Sequence, residues 1–366
     1  MNSVYIHIPF CSNICTYCAF TKYYYNENRV LTYLNSLEKE IKERYKNDLI
    51  KTIYIGGGSP SSLNIKELEK LFEIIKLFRF SNDIEFTIEV NPSDIDEEKL
   101  ILFKNNKVNR ISIGVESTNN KYLKYLGRKH DYDLIKDKIN LVKKYFNNIN
   151  IDLIYGLKYE SLKDLKIDLD NIINLDVNHI STYSLMIEPH TILNIKKEKY
   201  IPEELDRDMY DLICNKLKEK GFIHYEISNF SKPNYESKHN LVYWNNESYY
   251  GFGLSSSGYI NNIRYQNTTY LKEYNNFKYV KEREVLSKED IISYELILGF
   301  RKIKGINKKD FYNKYHIDIH SLYNINELLE KELLKENNNY IYINYNYIYI
   351  SNSILINFVG DYNGKE

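Results

Sequence analysis

The sequence predicts an α/β protein built as a partial barrel of six β/α units, with a doubly wound sheet as the alternative topology and a smaller domain following. Two observations carry this. Six short β-rich apolar runs alternate with amphipathic stretches up to about residue 185, and glycines, carboxylates and cysteines recur at the ends of those runs.

In chain order the first run is "VYIHI" at 4–8, and the cysteine-rich loop "CSNICTYC" at 11–18 follows it. The second, "KTIYIGGG" from 51, ends in glycines. Asn64 with Glu67 ahead of Leu68, Leu71, Ile75 and Phe78 then reads as a capped helix. "IEFTIEV" from 84 ends on Glu89 and "NP", and "RISIGV" from 110 ends in "GVES". "INIDLIYG" from 149 carries Asp152, and Ser161 with Asp164 caps the helix through Leu165, Leu169 and Ile172. "HISTYSL" from 179 is the sixth run. Strands joined by such crossovers are parallel and buried on both faces. In a β/α barrel their C-terminal ends share one face, which brings the polar motifs to one cavity. Taken singly, Gly56 to Gly58 reads as a tight turn and Asp152 as a helix cap.

With 366 residues the chain can bury a large core. Its 50 basic and 50 acidic residues cancel, so no global charge draws it to nucleic acid or anionic lipid. No apolar run of about 18 residues is present, and "MNSVYIHIPF" lacks the basic and apolar regions of a signal peptide. A cytoplasmic protein with reduced thiols is expected, touching membranes peripherally at most. Cys214 falls among Leu205, Met209, Leu212, Ile213 and Leu217 at helical spacing and reads as a packing residue. Near the end, "NNNYIYINYNYIYI" at 337–350 predicts a hairpin.

Three of the four cysteines fall within eight residues. An odd number of thiols in one short loop suits metal capture better than disulfide bridging. Tetrahedral zinc needs a fourth ligand, and His7 is the only histidine nearby. An iron-sulfur cubane on three thiolates leaves one iron open. Spacing alone leaves both readings standing. Glycines after a strand let a ligand approach backbone amides, Glu89, Glu116 and Asp152 offer acceptors for hydroxyls or an amine, and Arg128 suits a carboxylate clamp or a surface ion pair.

The C-x3-C-x2-C loop in "YIHIPFCSNICTYCAF" resembles the cluster loop of radical S-adenosylmethionine (SAM) proteins. "GGGSPS", "VESTNNKYLKYLGRKH", "IDLIYGL", "HISTYSLMIEPHT" and "YEISNFSKPNYESKHNLVYW" resemble the branch related to oxygen-independent coproporphyrinogen III oxidase, and within it the HemW family of haem chaperones. The resemblance runs from about residue 4 to beyond 300. It implies a radical SAM barrel over residues 1–220, a linking segment at 221–284 and a small, mainly helical, winged-helix-like domain at 285–366. It further implies that Cys11, Cys15 and Cys18 bind a 4Fe-4S cluster whose fourth iron takes SAM. Tyr5, Gly57, Gly58, Ser59, Glu89, Glu116, Arg128 and Asp152 fall on SAM-contacting positions, with Tyr17 shielding the cluster. His239 in "HNLVYW" matches the H-N-x-x-Y-W motif associated with haem. No residue is carried over as catalytic. The implied partners are haem, a respiratory apo-haemoprotein acceptor at the membrane, and an electron donor such as a flavodoxin or ferredoxin.

Some positions depart from the pattern. The decarboxylases of the branch place another cysteine where this chain has Phe20, which disfavours the alternative function, a radical SAM oxidoreductase acting on a porphyrinogen. Glu116 stands where relatives have Gln, Lys158 replaces a Pro, and "GLSSSGY" replaces a version containing Ala-His-Ser, so no role is transferred to Ser255 through Ser257. A zinc-stabilised binding protein is the third reading.

Overall fold

The computed structural model describes residues 2–322 and 324–359. Strands β1 (Asn2–Ile8), β2 (Leu49–Gly57), β3 (Arg79–Val90), β4 (Arg110–Glu116), β5 (Ile149–Tyr155) and β6 (His179–Ser184) lie side by side in that order, all parallel. Between them run α1 (Glu27–Arg44), α2 (Ile65–Ile75), α3 (Glu97–Asn105), α4 (Asn120–Leu126), α5 (Tyr132–Lys143) and α6 (Leu162–Asn174), and α7 (Glu203–Glu219) follows β6. This is the expected partial barrel.

The strands alternate two kinds of residue. One row, including Ile6, Ile53, Ile55, Phe86, Ile88, Ile111, Ile113, Ile151 and Ile180, joins the apolar helix faces in one continuous core. The other row is polar: Thr52 and Tyr54 on β2, Glu85 and Glu89 on β3, Arg110 and Ser112 on β4, Asn150 and Asp152 on β5, and His179 and Ser181 on β6. Several of these side chains bond one another across the lumen, although the buried Arg110 Nε has no hydrogen-bond partner among the described residues. Asn150 Nδ2 donates to Ser112 Oγ at 2.8 Å and to Asp152 Oδ1 at 2.9 Å, and its Oδ1 is bonded to the His179 ring at 2.6 Å. A hydrogen-bonded lumen keeps polar groups at depth without the penalty of leaving them unpaired.

The helix signals act as the sequence predicts. Asn64 and Glu67 form a capping box on α2, and Ser161 and Asp164 another on α6. Cys214 is buried on α7.

Residues beyond 220 extend the same sheet at both edges. β7 (Ile223–Glu226) pairs antiparallel with β8 (Asn229–Ser231), which in turn pairs antiparallel with β6. The helix α8 (Lys238–Trp244) carries the H-N-x-x-Y-W motif, and β9 (Tyr249–Phe252) returns parallel to β1. The antiparallel strands β10 (Ser257–Ile260), β11 (Ile263–Asn267) and β12 (Val280–Val285) complete a 12-stranded sheet. A C-terminal group follows: α9 (Lys288–Gly299), α10 (Lys308–Tyr315) and α11 (Ile325–Glu330), with an antiparallel sheet of β13 (Ile306–Asn307), β14 (Leu334–Glu336) and β15 (Tyr340–Ile343). It docks on the β7 edge, where Ile227 N donates to Arg301 O and Ile303 N to Tyr225 O, both at 3.1 Å.

The expected hairpin is present but shifted. It pairs 334–336 with 340–343, and the second half of the tyrosine-rich tract turns into a 3-10 helix at Tyr345–Tyr347. Asn344 accounts for the change, because its side chain caps the new turn by accepting from Asn346 N. Among the described residues no helix is long and apolar enough to cross a membrane.

Candidate functional site

The loop after β1 is fastened before any ligand is considered. Thr16 N donates to Leu126 O at 3.0 Å, Asn13 Nδ2 to Gly127 O at 2.6 Å, and Thr16 Oγ1 to Tyr125 O at 3.0 Å. Gly127 ends α4 with φ of 75°, a left-handed cap that glycine adopts without strain. The cysteine loop, which follows β1, is thereby tied to the end of α4, which follows β4, three crossovers further along the barrel.

Cys11, Cys15 and Cys18 face a cavity of about 370 Å³ at the C-terminal ends of the strands. Gly57, Gly58, Ser59, Glu89, Glu116, Arg128 and Asp152 line the same cavity, with Tyr17, Tyr54, Asn91 and Ser112 among them. Of the positions carried over from the resemblance, only Tyr5 and His239 are absent from this wall. The Tyr5 hydroxyl is hydrogen-bonded to His7 Nδ1 at 3.0 Å. His7 bonds Thr21 O through Nε2 at 2.9 Å, so both ring nitrogens of the one histidine near the thiols are engaged.

Glycine is required at two of the cavity positions. Gly57 has φ of 112° and a Cβ there would stand 2.4 Å from the His7 ring, while one on Gly58 would lie 2.8 Å from Phe10 O. Glu116 reaches the cavity through a register shift in β4 and itself holds φ of 68°, a strained position for a side-chain-bearing residue. Tyr17 OH donates to Glu116 Oε1 at 2.9 Å, and Arg128 Nη1 lies 3.8 Å from the same oxygen. Arg128 is shared further: Nη1 donates to Cys15 Sγ at 3.3 Å and Nη2 to Asn91 Oδ1 at 2.9 Å and to Gly114 O. Its fork therefore braces the cysteine loop against β4.

The electrostatics call for positive charge. Burial, then the neighbouring Cys18 and Cys15, pushes the Cys11 thiol up to about 12, and burial raises Cys18 as well. Thiols in that condition become thiolates when a metal supplies the compensating charge. Burial lifts Glu89 and Glu116 each to about 7 and raises Asp152. Arg128 pairs with Glu116, and among the described residues no ion pair reaches Glu89 or Asp152, which suits a ligand that brings its own positive groups. Among the described residues no three His, Cys, Asp or Glu side chains converge closely enough to hold a single metal ion. With His7 engaged elsewhere, the donor set fits an iron-sulfur cluster better than tetrahedral zinc.

The structure places His239 elsewhere. On α8 it is 1% exposed, with Nδ1 bonded to Thr52 Oγ1 at 2.7 Å and Nε2 to Tyr243 OH at 2.8 Å. Burial, then the charge of Arg110, lowers it to about 3, so the ring is neutral. Glu85 accepts from Lys238 N at 3.0 Å and His239 N at 2.9 Å, which seats α8 against β3. Trp244 closes the same helix, and the Arg301 guanidinium of the C-terminal group stands 5.8 Å from its ring. The wall residues that sequence reasoning missed include Tyr54 on β2 and Ser112 on β4, placed there by their strand positions, while Asn91 is the Asn of the "NP" just after β3.

The Radical SAM superfamily model matches residues 5–172. The proteins described as "Heme chaperone HemW" from Lactococcus lactis and Bacillus subtilis are each 38% identical to this chain. The first match covers 98% of both chains, and the second 99% of this chain and 100% of the relative. Among solved structures, coproporphyrinogen III oxidase (HemN) from Escherichia coli superposes with a TM-score of 0.85 at 22% identity, covering 97% of this chain and 89% of that one.

Proposed function

The chain belongs to the HemW family of haem chaperones and carries a radical SAM domain, and from that premise we propose that it binds haem and delivers it to an apo-haemoprotein. In this reading Cys11, Cys15 and Cys18 hold a 4Fe-4S cluster and the rest of the cavity holds SAM. When bound, the pair supplies reductive one-electron chemistry, while the protein supplies position and dryness. The observation that carries the reading is the convergence of three thiols, a glycine turn and three strand-end carboxylates on one cavity.

The residues divide the work by chemistry. Glu89, Glu116 and Asp152 accept hydrogen bonds from the amino and hydroxyl groups of SAM. Gly57 and Gly58 leave room for close backbone approach, and Ser59 adds a hydroxyl. Arg128 steadies Cys15, and Tyr17 covers the cluster side. Haem ligation by His239 requires either Thr52 or Tyr243 to release a ring nitrogen and α8 to open a path to it. The same reading places the protein in the cytoplasm, with a flavodoxin- or ferredoxin-like electron donor, a respiratory acceptor and peripheral membrane contact at most.

The test is an anaerobic haem titration of the cluster-reconstituted protein followed by Soret absorbance. Saturation near one haem per chain supports the chaperone. Failure to saturate overturns it, and porphyrinogen turnover in its place makes the protein an oxidoreductase. Phe20, 65% exposed on the cavity rim where that enzyme's additional cysteine is expected, weighs against the second outcome.

A further inference from the structure

The motif histidine and the cavity are joined by one strand. Thr52, Tyr54 and Gly56 form the inward row of β2, and at about 3.3 Å per residue the row spans roughly 13 Å. At its upper end Glu89 is held on both oxygens: Tyr54 OH donates to Oε1 at 2.8 Å and Gly57 N to Oε2 at 3.0 Å. Gly56 leaves the space that carboxylate fills, since a Cβ there would stand 2.6 Å from its carbon. At the lower end Thr52 Oγ1 meets His239 Nδ1, and the His239 ring lies 5.3 Å from the Tyr54 ring at an angle of 31°. Tyr5 flanks Tyr54 with its ring 6.2 Å away. The Tyr54 phenol is thus seated between Tyr5 and the motif imidazole, with its hydroxyl on Glu89.

We propose that His239 is a positioning residue for the SAM cavity: it seats Tyr54, and Tyr54 holds the Glu89 carboxylate where SAM meets it. This rests on the reading that SAM occupies the cavity. A buried imidazole with both nitrogens engaged works here as a wedge, and its removal leaves one side of the Tyr54 ring unsupported. Glu89 is faced by Tyr54, Tyr5, Glu116, Asp152, Tyr183 and Tyr243. Among these the Tyr54 hydroxyl favours its charged form, whereas Asp152 and Glu116 oppose it. A displaced Tyr54 therefore makes Glu89 harder to ionise and moves upward the pH at which it meets SAM as a carboxylate.

Equilibrium dialysis of radiolabelled SAM against the full-length, cluster-reconstituted protein, without haem and with the cluster oxidised, tests this across a pH series. We expect His239→Ala to bind SAM about ten-fold more weakly at neutral pH and its binding midpoint to rise by about one pH unit. Tyr54→Phe, which keeps the ring and loses only the hydroxyl, shifts the midpoint the same way. His239→Phe, which restores a flat ring beneath Tyr54, recovers most of the shift. A merely structural role lowers the melting temperature without moving the midpoint. Wild-type affinity and midpoint in His239→Ala, or in Tyr54→Phe should the first variant not fold, overturn this inference alone. Absence of SAM binding by the wild type overturns the cavity reading together with it.

Discussion

Glu89 offers a direct check on the cavity's electrostatics. Its carboxyl rises from an ordinary 4.5 to about 7 on burial, so the native state keeps a proton that the unfolded chain has lost. The stability tied to that proton is fully present below about 4.5 and is lost as pH rises through about 7. Glu89→Gln removes this slope, and the ligand-free variant should gain roughly 2 kcal/mol on the wild type between pH 5 and pH 8 in urea unfolding. An unchanged difference across that range would refute the burial argument. Gly57→Ala, forced into φ of 112° and onto the His7 ring, should lower both stability and SAM affinity, the latter read by dialysis. The cysteines and strand-end carboxylates were legible because their chemistry is unusual at such positions. Tyr54 was not, since a tyrosine within an apolar run reads as packing. The burial of His239 is equally hidden, because its partners Thr52 and Glu85 are more than 150 residues away in sequence.

At the scale of elements, α1 is pinned to the sheet by one buried carboxylate. Glu40 accepts from Gly253 N at 2.8 Å, Asn267 Nδ2 at 2.7 Å and Tyr274 OH at 2.5 Å, and pairs with Arg44. Glu40→Ala strands these donors and the Arg44 charge, and should cost about 3 kcal/mol in urea unfolding. A loss under about 1 kcal/mol would mean that water replaces the network. All six parallel strands and the two capping boxes were readable, because alternation and caps are local signals. The polar inner row was in the same strings, as Asn150 and Asp152 in "INIDLIY" show, but strands expected to be buried on both faces do not announce that one face is hydrogen-bonded rather than apolar. The hairpin shift at Asn344 depended on a single cap, which a run of similar Tyr and Asn residues does not advertise.

Among the described residues the larger of two apolar clusters runs from Val4 to Phe358, including Leu296 and Phe300 of the C-terminal group. A chain ending at residue 284 uncovers that core and strips Ile227 N and Tyr225 O of their partners. It should aggregate on refolding, as followed by size-exclusion chromatography, whereas a monodisperse fragment that takes up iron would establish a self-sufficient barrel. The same junction has an optical consequence. Trp244, beside Arg301, is the single indole in a chain with 37 tyrosines. Excitation absorbed by those phenols drains toward this one emitter, so the protein's ultraviolet fluorescence reports on the seam between motif helix and C-terminal group. A porphyrin settling on α8 would darken it, giving the motif an intrinsic, label-free gauge of its own occupancy.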